Sequence, residues 1–264
     1  DNLGDWSSDV CSSDLIFCVQ TNMSTTARSR LDHLATSLQP PPDLASALAA
    51  LKSAFPAAQL SLDDPTLQRH GTSFGSYSPP LPPAIIVHAE STADVVTVVR
   101  IATQYQIVLI PVAGRTSLEG QFLPPLLNTP PPCCPASPAP KSASEPSPAL
   151  SPPVSAAPST RPTIHLSLAR MDAILAVHPV DFQAVVQPGV GWQSLNEHLA
   201  ELGHPLFFPI DPAPGALFGG MVGVGGSGTN AVGYGTMRSE WIQNLEVVLM
   251  SGEVIQTRGD GRSR

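Results

Sequence analysis

Charge is scarce in this sequence. Only 13% of the 264 residues are Asp, Glu, Lys or Arg. The 13 Lys and Arg residues form no cluster and the formal net charge is −8, so a nucleic-acid partner is not expected. Aromatic residues are sparser still, at 5%. The cysteines are Cys11, Cys18, Cys133 and Cys134. Neither their spacing nor a nearby histidine makes a zinc site, and the adjacent pair is no disulfide framework. The histidines, His33, His70, His88, His165, His178, His198 and His204, show no ligand spacing with one another. They are read as structural, with no metal and no catalytic histidine expected. No apolar run approaches the ~20 residues of a membrane-spanning helix. Abundant instead are proline, with 30 residues, and glycine, with 20. The chain is long enough to bury a real core in one or two domains.

Three stretches are set apart from the fold. Residues 5–15 read Asp-Trp-Ser-Ser-Asp-Val-Cys-Ser-Ser-Asp-Leu, which resembles the conceptual translation of a sequencing-adapter oligonucleotide. Residues 1–22 are therefore expected to be an artefact. Removing their Asp1, Asp5, Asp9 and Asp14 halves the net charge of −8. Residues 123–162 hold 14 prolines among many Ser and Ala, and cannot bury enough apolar surface to fold. They read as a disordered insertion or translated intron. Residues 259–264 follow an apparent strand with no closing element, and read as the truncated end of a longer protein. Between these lie an N-terminal segment, 23–69, and the main domain, 70–258, interrupted by the insertion. Residues 23–38 are Ser/Thr/Arg-rich and read as a disordered start rather than a targeting segment.

The ordered elements follow from pattern. Asp43 caps a short helix carrying Leu44, Leu48 and Leu51. Residues 61–77 are polar, with Asp63 and Asp64, and read as irregular surface. Residues 84–88 form a short apolar run bounded by prolines, hence a buried strand. Ser91-Thr-Ala-Asp94 is an acidic capping box opening a helix whose Val95, Val98, Val99 and Ala102 pack on that strand. Residues 107–110 make a second strand, completing a βαβ-like unit. Ile164, Leu166 and Leu168 alternate as in a strand. Residues 174–177 and 184–186 form a hairpin, and a helix carrying Trp192, Leu195 and Leu199 ends at Gly203. A final hairpin turns at Ser251-Gly252.

Two loops invite a ligand. Residues 111–120, Pro-Val-Ala-Gly-Arg-Thr-Ser-Leu-Glu-Gly, follow a buried strand directly, so successive N–H groups can cradle phosphate, with Arg115 adding charge. Residues 218–238 contain eight glycines among 21 residues. So much conformational freedom is tolerable only where backbone approaches something closely, here read as a large ligand. Gly223-Val-Gly-Gly-Ser-Gly228 satisfies Gly-x-Gly-x-x-Gly literally. A Rossmann site would need a strand before it and an amphipathic helix after it. Residues 218–222 make a poor strand and 229–238 a poor helix, so that reading is set aside. Ser227 is no nucleophile elbow, because Thr229 stands where glycine is required.

The ordered set Ser91–Asp94, 111–120, Gln187-Pro-Gly-Val190, Gly219-Gly-Met221, Ser227-Gly-Thr-Asn-Ala-Val232 and Tyr234-Gly-Thr-Met-Arg238 resembles the FAD-binding, PCMH-type domain of vanillyl-alcohol-oxidase-like flavoproteins. Within these it is most similar to the D-lactate dehydrogenase (cytochrome) and glycolate oxidase flavoprotein-subunit family, over about residues 70–122 and 163–258. The resemblance implies an α+β fold, a two-subdomain module clasping FAD. Val112, Ala113, Gly114, Arg115, Thr116 and Ser117 would hold the pyrophosphate. Pro188, Gly189, Leu217, Gly219 and Gly220 would line the flavin and ribityl region. Ser227, Gly228, Asn230, Tyr234 and Gly235 would add contacts, and Ile255 would pack near the adenine. It further implies oxidation of a D-2-hydroxy acid, most simply D-lactate, with electrons passed to cytochrome c or another carrier in mitochondria. The family's catalytic groups lie in a C-terminal cap domain, so no catalytic residue is assigned and the chain alone is expected to be inactive. D-2-hydroxyglutarate dehydrogenase and alkylglycerone-phosphate synthase share this domain and are alternatives, as is a mis-assembled gene product without function. The chain departs from the family at Ala113 and Arg115, where glycine is usual, at Gly233, often arginine, at Leu217-Phe218, and in the run 223–226.

Overall fold

The computed structural model describes residues 42–73, 76, 79–125, 161–237 and 241–258. The expectations for residues 1–41, 126–160 and 259–264, for the four cysteines and for Arg238 lie outside the described residues.

Helix α1 (Leu44–Ala54) begins as its cap predicts, with the Ser46 N–H donating to Asp43 Oδ1 at 3.0 Å. A 3₁₀ turn (Ala57–Gln59), β1 (Leu60–Ser61), α2 (Asp64–His70), β2 (Ile85–His88), α3 (Thr92–Gln104), β3 (Val108–Val112) and β4 (Thr163–Ser167) follow. The sheet order is β1-β2-β4-β3, with β1 antiparallel to β2 and both β2 and β3 parallel to β4. The βαβ unit is therefore present, but β4 lies between its two strands. Pro111 is tolerated in β3 because that strand forms an edge of the described sheet.

Alternation divides the sheet faces. Ile85, Val87, Ile164 and Leu166 share a core with Ala47, Leu51 and Phe55 from the α1 side and Val98 and Ala102 of α3. Residues 44–61 thus belong to the same packed body as the sheet. The intervening Ile86, Thr163, His165 and Ser167 are also buried, on the opposite face. Helix α3 opens with a complete capping box: Ser91 Oγ accepts from the Asp94 N–H at 3.2 Å, and Asp94 Oδ2 accepts from the Ser91 N–H at 3.1 Å.

A second core gathers β5 (Ile174–His178), β6 (Gln183–Val186), α4 (Trp192–Glu201) and α5 (Phe218–Val224) around Val190, Leu195, Ile210, Phe218, Met221 and Met237. Gly203 ends α4 at φ 74°, as its C′ position requires. After one turn of α6 (Ala231–Tyr234), the hairpin of β7 (Glu246–Val248) and β8 (Val254–Gln256) docks on α3. Thr92 Oγ1 donates to Glu246 Oε1 at 2.7 Å and Thr103 Oγ1 to the Met250 carbonyl at 3.0 Å.

One expectation needs correction, and one element was not anticipated. Residues 61–77 are not all irregular: Asp63 caps α2, accepting from the Thr66 N–H at 3.0 Å, and Pro65 sits in its first turn. The Asp-Asp-Pro start signal was present, but α2 is a single short element with little periodicity. The start of the glycine-rich stretch is helical, although Gly219, Gly220 and Gly223 are poor helix formers. Burial of Phe218 and Met221 in the second core outweighs that propensity. The absence of a strand before Gly223 agrees with setting the Rossmann reading aside.

Replacing Ser91 with Ala is expected to cost about 1 kcal/mol of stability, through the lost cap of α3. Denaturant melts of the two proteins measure it.

Candidate functional site

Four segments converge where the two cores meet: 112–117 after β3, 187–191 after β6, 209–220 leading into α5, and 225–230. Their backbones touch directly. A Cβ placed on Gly114 would collide with the Gly215 carbonyl and lie 3.1 Å from the Leu217 nitrogen. Gly191 bridges to Leu217. The Phe218 N–H donates to the Val190 carbonyl at 2.9 Å, and the Gly219 N–H to the Pro188 carbonyl at 2.8 Å. The Gly226 N–H donates to the Met221 carbonyl at 2.7 Å and the Met237 N–H to the Gly226 carbonyl at 2.9 Å, folding the chain back over α5.

Most of the residues singled out from the sequence are thereby brought together. The 112–117 loop meets residues 215–220 through Gly114, Thr116 and Ala113, Pro188 lies against Gly219, and Gly189 packs on the 168–171 turn. Ser227, Gly228 and Asn230 belong to a turn fastened to residues 209–211. Tyr234 and Gly235 follow at α6, where the Trp241 indole N–H donates to the Tyr234 carbonyl at 2.8 Å. Ile255 is carried instead by β8, in the hairpin docked on α3.

The residue that sequence reading missed is Asp211. Its carboxylate accepts from the Asn230 N–H at 3.0 Å and from Thr229 Oγ1 at 2.5 Å. Those two donors hold its pKa below the ordinary carboxylate value. Asn230 Nδ2 donates in turn to the Pro209 carbonyl at 3.1 Å. No spacing rule links position 211 to 228–230. Only its placement just before the glycine-rich stretch offered a signal.

The geometry also corrects the first explanation of the glycines. Gly189, Gly219 and Gly228 are pressed against the protein's own backbone, not left open for a ligand. A Cβ on Gly189 would lie within 2.7 Å of the Leu168, Ala169 and Met171 carbonyl oxygens, and one on Gly219 2.8 Å from Pro188 Cβ. One on Gly228 would lie 2.6 Å from the Asp211 carbonyl oxygen. Gly220 and Gly233 differ. A Cβ on Gly220 would meet only Ala113 Cβ, at 4.0 Å, and one on Gly233 would meet nothing within 4 Å. Ser227, Thr229, Asn230, Val232 and Tyr234 are exposed around them. The result is an open surface of hydroxyls, amides, glycine backbone and apolar side chains.

Arg115 is the cation of the first loop. Its backbone is left-handed, at φ 54°, and Nη1 donates to the Arg69 carbonyl at 2.9 Å. Arg115 is thus turned toward the last turn of α2, whose carbonyls attract a cation. The Ser73 hydroxyl adds a second strap to the Ser117 carbonyl at 3.3 Å.

Three histidines lie near this loop. The His70 ring centroid is 6.0 Å from that of His165 and 6.4 Å from that of His88, and His88 Nε2 pairs with Ser61 Oγ at 3.0 Å. His70 Nδ1 and both ring nitrogens of His165 have no hydrogen-bond partner among the described residues. The Phe122 carbonyl is near enough to His165 to favour its protonated form slightly, without bonding geometry. Burial, helped by Arg115 and His88, lowers the pKa of His70 to about 4. Burial, helped by His70 and Arg115, lowers that of His165 to about 3. Both are read as structural. Three separate elements supply them, so no sequence spacing announces the cluster.

The donor set suits a large, largely uncharged ring system joined to a phosphate ester: backbone amides and small hydroxyls on one loop, apolar and amide surface on the other. The comparisons agree. The description of an FAD binding domain matches residues 153–258. The mitochondrial D-lactate dehydrogenase (cytochrome) of Arabidopsis thaliana is 32% identical over 68% of this chain and 25% of its own length. A probable mitochondrial D-lactate dehydrogenase of Danio rerio is 33% identical over 69% of this chain and 29% of its own length. Among solved structures, alkyldihydroxyacetonephosphate synthase superposes with a TM-score of 0.62 at 20% identity, over 85% of this chain and 37% of that one. The fold is thus that of the PCMH-type FAD-binding flavoproteins. The chain carries an FAD-binding domain, is similar in sequence to D-lactate dehydrogenases (cytochrome), and its cofactor is FAD. It spans about a quarter of the length of the curated relatives it matches.

The buried histidines predict an acid-labile fold. Unfolding returns each imidazole to a pKa of ~6.5, so below that pH the unfolded chain binds protons that the folded chain does not. The stability from burying them neutral is complete above pH ~6.5. It is lost as pH falls toward about 4 for His70 and about 3 for His165. Each contributes a slope of up to about 1.4 kcal/mol per pH unit in that window. Denaturant melts at pH 7, 6 and 5 should show this, and His165→Leu should reduce the slope without abolishing it.

Proposed function

We propose that the protein containing this domain oxidises a D-2-hydroxy acid, D-lactate in the first instance, to the 2-keto acid. Electrons would then pass to cytochrome c or a comparable carrier, in mitochondria. The observation that carries this reading is the direct backbone contact between the 112–117 loop and the 215–220 turn. It supports the reading because it would bring the loop's N–H donors next to an open, charge-poor surface, in a chain similar to D-lactate dehydrogenases.

In this reading the N–H groups and hydroxyls of Val112, Ala113, Gly114, Arg115, Thr116 and Ser117 bind the pyrophosphate of FAD. Arg115 stays anchored to α2 and contributes its field more than a direct contact. Leu217, Gly219 and Gly220, with Pro188 and Gly189 behind them, form the wall for the ribityl chain and ring. Ser227, Gly228, Asn230, Tyr234 and Gly235 extend that wall, and Ile255 meets the adenine side. The isoalloxazine supplies the two-electron chemistry when bound. The residues of this chain hold it, orient it and keep charge away from its apolar faces.

Purified protein is expected to carry or take up stoichiometric FAD, seen as a yellow flavin spectrum whose fluorescence changes on binding. The longer protein is expected to reduce an artificial acceptor with D-lactate and not with L-lactate. Absence of FAD uptake by correctly folded protein overturns the binding assignment. Flavin binding without D-lactate turnover by the longer protein overturns the substrate alone.

A further inference from the structure

We infer that Asp211 is a positioning residue for the cofactor: it holds the turn Gly228–Thr229–Asn230 in the shape that presents this segment to FAD. The inference rests on the FAD-binding reading above and deepens it, because nothing in that reading assigns Asp211 a role.

Asp211 grips the turn in three ways. Its carboxylate accepts the Asn230 N–H at 3.0 Å, which fixes the backbone. It accepts Thr229 Oγ1 at 2.5 Å, which fixes the side chain next door. The backbone of Gly228 is packed flat on residue 211, where a Cβ would lie 2.6 Å from the Asp211 carbonyl carbon and oxygen. The Asn230 amide completes the attachment at the Pro209 carbonyl, 3.1 Å away. Pro209 and Ile210 are themselves fully buried, so the clamp is rooted in the second core. On the outer side, Thr229, Asn230, Val232 and Tyr234 are exposed and Gly233 faces open space. A glycine-rich segment exposed on that side has little of its own to hold one conformation. The carboxylate supplies the missing constraint, and as an ionised acceptor it makes stronger hydrogen bonds than a neutral group would.

The consequence is specific. Without the clamp the turn samples other shapes, and binding must order it again, so affinity drops by the population of the competent shape. Both bonds are charge-assisted, but water reaches the carboxylate and weakens them. Asp211→Ala is therefore expected to weaken FAD binding by about tenfold. Asp211→Asn keeps an oxygen for the Asn230 N–H, and its amide can donate to the Thr229 hydroxyl, so it should restore affinity to within about threefold of the wild type. Thr229→Val removes one of the two bonds and should fall between them.

The test is a fluorescence titration of apoprotein with FAD, for wild type and all three variants. It is run at a temperature where circular dichroism shows each fully folded. Under that condition a residue that only stabilises the fold leaves the dissociation constant unchanged. The expected ranking is wild type, then Asp211→Asn, then Thr229→Val, then Asp211→Ala. Equal affinity across folded variants overturns the positioning role while leaving the FAD site intact. Failure of the wild type itself to bind FAD overturns the reading on which it rests. Should Asp211→Ala not fold, Thr229→Val and Asp211→Asn decide the matter by the same comparison.

Discussion

Backbone packed on backbone is the constraint on which this site depends. Gly114 lies against residues 215–217, Gly189 against the turn 168–171, Gly219 against Pro188 and Gly228 against Asp211. Each contact is closer than any side chain would allow. Together they lock segments from both cores, which no long hydrophobic element spans. The second core alone would leave the glycine-rich stretch loosely attached. The close contacts fix its start at Pro188 and its middle at Asp211, leaving only the outer surface free.

That arrangement would let a chain so poor in charge build the proposed site for a charged cofactor. Main-chain N–H groups need no side-chain charge to act as anion donors, provided the backbone is held still. The holding is done by neutral packing and by a few polar straps: Arg115 to the Arg69 carbonyl, Ser73 to the Ser117 carbonyl, Asp211 to Thr229 and Asn230. Nearby, His70 on α2 and His165 on β4 are held neutral by burial and by the Arg115 charge, and add no positive charge beside the loop.

Much of the fold was legible in the sequence. The capping box at Ser91, the cap at Asp43, the hairpins and the Gly203 stop are local signals and appear where their residues place them. What escaped was non-local. Helix α2 was hidden in a polar stretch, because a cap and one proline carry less weight than a hydrophobic period. Helix α5 was hidden by its glycines, because only the buried Phe218 and Met221 reveal why they are helical. The candidate site was legible as two loops, and their meeting was implied only by the family resemblance. Asp211 was invisible, since its partners lie about 18 residues away with no pattern joining them.

The glycines of the long stretch therefore fall into two kinds, and the departures from the family pattern sort with them. A glycine occluded by backbone cannot change without moving a neighbouring strand or turn, and this applies at 114, 189, 219 and 228. Positions facing open space are free to vary, and Gly233, where the resemblance led to an expectation of arginine, is one of them. Ala113 is the intermediate case. Its Cβ sits 4.0 Å from where one on Gly220 would be, an ordinary contact that narrows the gap between the two loops by one methyl without closing it. Arg115 is different again. It occupies a left-handed position that suits glycine, at a backbone cost of about 1 kcal/mol. The bond from its guanidinium to α2 offsets that cost and ties the loop to a helix that glycine could not reach. Arg115 thus ties its loop to α2 with a side-chain strap, as Asp211 ties the 228–230 turn to residues 209–211.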